Sequence, residues 1–384
     1  MEIVMEATGC VVQRASESGA HEIIISPAQE DAEWDSFVID GLNPHHEQTA
    51  LWGKLQALRG WKSFRVMMRR ANTLVGGAQI LERTVRHVGK VGYLARGPVI
   101  LTEDAALRRS LLSATGRIAK QRRLAYLAVT LPYPCHFTAS ELKASGFIVR
   151  HEKMPPTTPM TATLTLDLTQ DLETIQAKMR ATTQKHIRQA QRRGAIVREG
   201  GAEDVGTFDR LLAELCERRG VQPNVPVGDF TRELWNTFGP GGWLRLFLTE
   251  RDGEVFSAAM VFAMGRWARA WRVGSSGRGS EARPNELLYW HAIKWAKAKG
   301  CRVFDFVGFD TKNARAILAG LAIPEGERCG MSDFKLGFGG NVEMLPTGYC
   351  YFGNPMIRLL YHTIGSPLLG SKFLQQLLPK LDTP

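Results

Sequence analysis

Lys335 stands in the run DFKLGFGG, a cation beside glycines whose backbone N–H groups can turn toward a negative oxygen. That pairing suits a reaction whose transition state carries an oxyanion, as acyl transfer does. Asp305 interrupts the apolar run CRVFDFVGF. A carboxylate placed there needs a cationic partner, or acts as an acceptor for a proton. Lys185, Arg188 and Arg192 recur at i, i+3 and i+7, along one helix face, and Lys178 lies seven residues further back. Like charges on one ridge cost roughly a few tenths of a kcal/mol per pair unless an anion lies across from them. The ridge therefore suggests a phosphate-bearing partner, with a merely solvated face as the competing reading.

Other reactive groupings are missing from the sequence. There is no GxSxG and no recognisable Ser/His/Asp or Cys/His signature, which suits direct transfer without an acyl-enzyme. Cys10, Cys135, Cys216, Cys301, Cys329 and Cys350 are scattered, with no CxxC or Cys/His spacing for a metal, so reduced thiols, no metal and no cofactor are expected. A net charge of +11 attracts polyanions such as nucleic acid, anionic lipid or nucleotide-linked sugars. The loop from Ser275 to Arg283 is rich in Gly, Ser and Arg, includes Arg278, and opens into a helix at Pro284 or Asn285, where unpaired N–H groups can hold an anion. Trp267, Trp271, Tyr289 and Trp290 flank that loop and could stack on nucleic-acid bases, although Trp267 and Trp271 share a strand face that reads as core.

These residues have to be positioned by elements that the hydrophobic pattern predicts. Arg266 to Asp310 reads as strand, helix, strand, with Gly300 ending the helix. Upstream, HEIIISP is a short strand, and Asp31 to Trp61 carries two helices. SFRVMMRR, TLVGGAQILERTV and VGYLARGPVIL follow as strands with turns near Asn72 and Gly89. Glu103 to Arg122 is a helix, LAYLAVTLP a buried strand, and Ser140 to Ser145 a short helix stopped by Gly146. The stretch Pro155-Pro156-Thr157-Thr158-Pro159 is the best linker. Beyond it TATLTLDL is a strand, Thr207 to Arg219 a helix, and WLRLFLTERDGEVFSAAMVFAMG a hairpin turning at Asp252-Gly253. Both halves run helices, antiparallel strands, a helix and a further buried strand. At 384 residues two domains are expected, 1–155 completed by 341–384, and 156–340. No apolar run of membrane-spanning length occurs, and MEIVMEATGC lacks a basic region followed by an apolar one, so a cytosolic chain is expected. The apolar stretch Pro355 to Leu378 could touch a membrane surface, but packing against domain one is the better reading.

Taken in order, KMRATTQKHIRQAQRRGAIV, PNELLYWHAIKWAKAKG, FDFVG and FKLGFGG resemble the FemABX family of peptidyltransferases, over about Gln48 to Gly340. The resemblance implies an α+β chain of two GNAT-like acyltransferase folds with mixed, mostly antiparallel sheets flanked by helices. No long charged helical pair of the coiled-coil type is visible. It implies aminoacyl-tRNA as donor, and as acceptor the amine of a peptidoglycan precursor or a related peptide, lipid or sugar. Relatives place the Phe-Lys pair near the reacting centre, which points to Phe334 and Lys335 here, with Asp305 as a candidate base. Lys178, Lys185, Arg188, Arg192 and Arg278 are expected to hold the donor. QTALWGKLQALRGW resembles the family's entry to domain one, which places Trp52 and Gln56 at the acceptor; relatives often carry a lysine where Gln56 stands, and an Asp just before Pro132 that is absent here. A cytoplasmic enzyme peripheral to the inner membrane surface fits this reading. The rivals are an acyl-CoA or acyl-carrier N-acyltransferase, whose pyrophosphate loop SGRGSEARPNE matches poorly, and a non-catalytic RNA-binding protein.

Overall fold

The computed structural model describes residues 2–5, 11–14, 21–42, 44–86, 88–150, 160–223, 227–278, 283–323 and 330–363. The expected linker at 155–159 and the chain beyond Thr363 lie outside them. Contacts divide the chain into two compact units, Met1–Pro159 with Pro346–Pro384, and Met160–Leu345.

In unit 1 the strands β1 (Glu2–Met5), β2 (Val11–Arg14) and β3 (His21–Ser26) precede helices α1 (Ala32–Asp40) and α2 (Ala50–Ala57). Then come β4 (Lys62–Arg70), β5 (Thr73–Val85), β6 (Gly89–Leu94), β7 (Val99–Ile100), α3 (Ala105–Gln121), β8 (Leu124–Val129), α4 (Ala139–Ala144) and β9 (Ile148–Val149). The C-terminal segment adds β17 (Tyr349–Tyr351) and α12 (Pro355–Thr363). The sheet order is β1-β2-β3-β4-β5-β6-β8-β17-β9, with β7 against β5. Only β6 and β8 pair in parallel, as their crossover through α3 requires. Asp31 caps α1 by accepting from Trp34 N. The Trp34 ring lies so close to the sheet that a Cβ on Gly77 would stand 2.5 Å from it, so the strand needs glycine there. Beneath these helices the fully buried Arg65 guanidinium meets Asp31 Oδ2 at 3.2 Å and Gln79 Oε1 at 3.3 Å. A buried charge is tolerable because it is paired in this way.

Unit 2 contains β10 (Ala162–Asp167), α5 (Leu172–Ala177), α6 (Ala181–Arg192), β11 (Ile196–Gly200), α7 (Val205–Arg218) and α8 (Asp229–Phe238). It continues with β12 (Leu244–Arg251), β13 (Glu254–Met264), β14 (Trp267–Ser275), α9 (Pro284–Ala298), β15 (Val303–Asp305), α10 (Thr311–Leu318), α11 (Met331–Leu336) and β16 (Asn341–Met344). The order is β11-β12-β13-β14-β15-β10-β16, again with one parallel pair, β14 and β15, joined by a helix. Asp252 and Gly253 adopt φ of 53° and 78° at the β12–β13 turn, the left-handed pair that a tight hairpin demands. A core built from Leu288, Ile293, Phe304, Phe306 and Phe338 joins α9 to the sheet.

The two sheets follow one plan. Four antiparallel strands (β3 to β6, or β11 to β14) lead into a parallel neighbour (β8, or β15), and two antiparallel strands close the far edge. In unit 2 the place beside the parallel pair belongs to β10, the unit's own first strand; in unit 1 it belongs to β17. Each unit is thus an α+β fold of the GNAT type, and among the described residues no long helical pair forms an arm. Among the described residues the longest helix, α3, has 17 residues, and none is long and apolar enough to cross a membrane.

Candidate active site

The parallel pair of unit 2 comes apart. Strands β14 and β15 keep register only over Trp267–Arg269 and Val303–Asp305. Beyond that, Phe306 N and Phe309 N bond Leu164 O and Ala162 O, so the chain after β15 stays with β10 and abandons β14. A cavity of about 1110 Å³ opens on that side, with walls from β14, the first turn of α9, the end of α7 and the start of α11. A β-bulge at Trp271, between the pairs Met260↔Arg272 and Val261↔Ala270, breaks the alternation of β14. Trp271 packs edge-on against Phe262, with ring centres 5.8 Å apart, and lines the cavity, whereas Trp267 is buried. In unit 1 the corresponding strands stay joined: Thr130 N donates to Leu94 O, Gly97 N to Thr130 O, and Arg96 N to Thr130 Oγ1. Thr130, one residue before the position where relatives were expected to carry an Asp, serves this stitch.

Lys335 borders the cavity at 1% exposure. Its Nζ donates to Val307 O at 2.8 Å and Gly308 O at 2.5 Å. Burial pushes its pKa down to about 8, the nearby Asp305 carboxylate working the other way and the Arg219 cation adding to the drop. Asp305 Oδ1 accepts from Val307 N at 2.8 Å and Thr163 Oγ1 at 2.5 Å, while Arg269 Nε lies 3.7 Å from Oδ2. Asp305 and Lys335 thus clamp one turn from opposite ends. The turn is a strained one, since Val307 holds φ of 52°, a region that β-branched residues avoid. Both Asp305 oxygens are engaged in this frame, where the carboxylate fixes backbone and neutralises a cation, the paired role weighed above against that of a proton acceptor.

The aromatic wall consists of Tyr289 stacked on Phe306 at 5.4 Å and edge-on to Phe334 at 5.4 Å. The opposite side brings Arg218, Arg219 and Arg272. Arg218 Nη2 is fixed by Ser275 O at 2.6 Å, and the Arg272 guanidinium lies 4.7 Å from the Trp271 ring centre. Sequence reasoning gave these arginines no role, because Arg218 and Arg219 at the end of α7 look like ordinary partners of the helix dipole and Arg272 like one polar residue of a strand. Only the split in the sheet brings them together with Lys335.

The remaining expected residues fall as follows. DFKLGFGG is not a loop: Met331 to Leu336 are helical, with Asp333 in the first turn and Lys335 in the last, and the glycines begin only at Gly337. Lys185, Arg188 and Arg192 do share an exposed face of α6, whose inward residues are Thr183, Ile187 and Ala190. Lys178 is not on that ridge, because the helix breaks at Met179–Arg180 and Lys178 bonds Gln170. No α6 residue lines the cavity. The link runs through α11, since Arg180 N donates to Gly337 O at 2.9 Å and Arg180 Nη1 to Asp333 Oδ1 at 2.8 Å. Arg278 is exposed and pairs with Glu254 at 3.1 Å, beside Gly277 of the cavity wall. Trp290 is buried core. Trp52 and Gln56 are 2% and 0% exposed, packed inside unit 1, so neither presents a surface to an acceptor. Among the described residues no cluster of His, Cys, Asp and Glu could hold a metal.

Two sheets with a parallel pair beside a crossover helix, one of them parted over a cation-lined cavity, define a tandem GNAT-like acyltransferase fold. The chain belongs to the FemAB family, whose model matches residues 29–241, and an acetyltransferase (GNAT) domain model matches residues 177–314. Among curated proteins it is 26% identical over 222 residues to a "Lipid II:glycine glycyltransferase" of Staphylococcus saprophyticus, covering 53% of this chain and 51% of that one. The matched part spans about half the length of that relative. Among solved structures, that of FemX superimposes with a TM-score of 0.73 at 19% identity, over 85% of this chain and 97% of that one. A conserved protein of unknown function from Bacteroides thetaiotaomicron follows with a TM-score of 0.50 at 12% identity, over 83% and 96%. At these identities the structural likenesses speak of fold alone. The expected family and fold class are borne out.

Proposed function

We propose that this chain is an aminoacyltransferase. It forms an amide between an amino acid carried by aminoacyl-tRNA and an amine on a peptidoglycan precursor or a related peptide or glycolipid. The observation that carries the reading is the parted pair β14 and β15, with Lys335, three arginines and an aromatic wall around one cavity. Membership of the FemAB family and the glycyltransferase activity named for the staphylococcal relative support the acceptor class.

An aminoacyl ester is already activated, so holding the amine within attack distance supplies much of the rate. The aromatic wall suits the terminal adenine, the arginines suit the phosphates, and the exposed ridge Lys185, Arg188 and Arg192 suits the acceptor stem. An ammonium has three donors. Lys335 uses two on the strained turn and has a third for the carbonyl oxygen as it gains charge. Attack is direct: Cys216 lines the cavity, but among the described lining residues no histidine stands beside it to activate it. The account includes a cytoplasmic enzyme peripheral to the inner membrane surface, with the exposed Met356 and Leu359 of α12 as the apolar contact.

A second reading, an acyl-CoA or acyl-carrier donor, is favoured by the GNAT domain match, which takes in the β14, α7 and α9 walls of the same cavity but not Phe334 and Lys335. Against it, α9 opens with Pro284, which has no N–H to offer a pyrophosphate. Incubation with labelled aminoacyl-tRNA or labelled acyl-CoA and a cell extract separates the two. Ribonuclease-sensitive transfer of the amino acid to an amide product supports the first, transfer from the thioester alone supports the second, and no product from either refutes both.

A further inference from the structure

A smaller cavity of about 630 Å³ adjoins the first and shares with it Met160, Val307, Gly330 and Met331. Its distinctive group is Asn313 on α10, 5% exposed, whose Oδ1 is buried without a hydrogen-bond partner. A carbonyl oxygen stripped of water calls for a donor from whatever fills the space. Asp310 and Lys312 stand exposed at the rim. Asp310 is itself held in place, its N–H donating to Ser332 Oγ and its Oδ1 accepting from Asn313 N, both at 2.9 Å. An acceptor oxygen inside and a carboxylate at the mouth favour a cation rich in N–H donors, and Lys312 complements a carboxylate on the same ligand.

We propose that this smaller cavity seats the primary amine of the acceptor, an amino-acid or peptide ligand with an alkylammonium and a carboxylate, with Asn313 as its hydrogen-bond acceptor. The proposal rests on the reading of the larger cavity as the donor site. The two cavities share Met160, Val307, Gly330 and Met331 beside the turn that Lys335 and Asp305 clamp, so an amine seated in one lies next to an ester held in the other. The ammonium loses one proton to solvent and the free amine attacks the ester carbonyl. A C–N bond forms, the bond to the ribose oxygen breaks, and the second amine proton ends on that oxygen.

The test uses the full chain and two probes. Nα-acetyl-lysine carries the ammonium and carboxylate, with Nα,Nε-diacetyl-lysine as its control; a 3′-aminoacylamino-3′-deoxyadenosine reports on the larger cavity. Wild type is expected to bind Nα-acetyl-lysine and not the diacetyl compound in ligand-observed NMR. Asn313→Leu weakens that binding about tenfold or more, and Asn313→Asp, which adds a charge, strengthens it severalfold. Neither changes the affinity for the nucleoside. Opposite shifts from two variants separate recognition from a loss of fold. Equal binding of the two lysine derivatives, no binding by wild type, or shifts of the same sign in both variants overturns the proposal. If Nα-acetyl-lysine behaves as expected while the nucleoside does not bind, the donor reading fails and the amine seat stands.

Discussion

Replacing Lys335 by methionine removes a charge that the fold keeps out of water. Burial lowers its pKa from 10.5 to about 8. Between those values the unfolded chain binds more protons at this site than the folded one, so the stability of the wild type rises with pH across the window. From pH 7 to 9.5 the linkage relation gives a gain of about 2 kcal/mol that a methionine, with no proton to lose, does not share. Urea unfolding of both proteins at the two pH values, followed by tryptophan fluorescence, measures it. Every other titrating group cancels in the difference between wild type and variant. The difference is expected to move by about 2 kcal/mol in favour of wild type as the pH rises. Parallel pH dependence in the two proteins refutes a buried lysine of lowered pKa, and with it the clamp on Val307 and Gly308. In a transfer assay the same variant is expected to lose about a hundredfold in rate, the usual effect of removing one oxyanion donor.

Reversing the ridge with Lys185→Glu, Arg188→Glu and Arg192→Glu is expected to weaken tRNA binding and to flatten the plot of log affinity against log salt by about 2 to 3, read by filter binding across salt concentrations. Gly308→Val puts a β-branched residue at φ of 83°, with its Cβ 3.0 Å from Met160 Sδ. A loss of about 1–3 kcal/mol in urea unfolding is expected, and an unchanged midpoint contradicts the strained turn. In unit 1, burial raises the Asp35 pKa from 3.8 to about 6, although Ala50 N donates to it. The folded state there binds the extra proton, so stability falls as pH rises through that window. Asp35→Asn should therefore stabilise by about 3 kcal/mol at pH 7, and the advantage should shrink to about half a kcal/mol near pH 4 in the same unfolding assay.

Local chemistry made much of the fold legible. Asp252-Gly253 specified its hairpin, Gly300 with φ of 83° ends α9, and the order of elements announced the repeat. Lys335 stood out as a cation beside glycines and Asp305 as a carboxylate in an apolar run, yet the turn at Val307 that both hold was not visible. It depends on Phe306 N and Phe309 N choosing β10 over β14, a tertiary choice. Two further differences have the same origin. Arg180 gives its N–H to Gly337 O, which breaks α5 from α6 and takes Lys178 off the ridge. Trp271, which period-two counting groups with Trp267 as core, is only half-buried and lines the cavity beside a bulge that the sequence does not announce. Trp52 and Gln56 show the opposite failure: the pattern of a binding motif was read on a helix face that packing buries.

The central claim is that the gap between β14 and Phe306–Val307 holds an aminoacyl ester with its carbonyl at Lys335. A crystal structure of the chain with a 3′-aminoacylamino-3′-deoxyadenosine, the hydrolysis-resistant form of a charged tRNA terminus, tests it directly. The account predicts the adenine against Tyr289 and Phe334 and the acyl oxygen about 3 Å from Lys335 Nζ. Density for the compound in unit 1, or in unit 2 with the acyl carbonyl remote from Lys335, contradicts it.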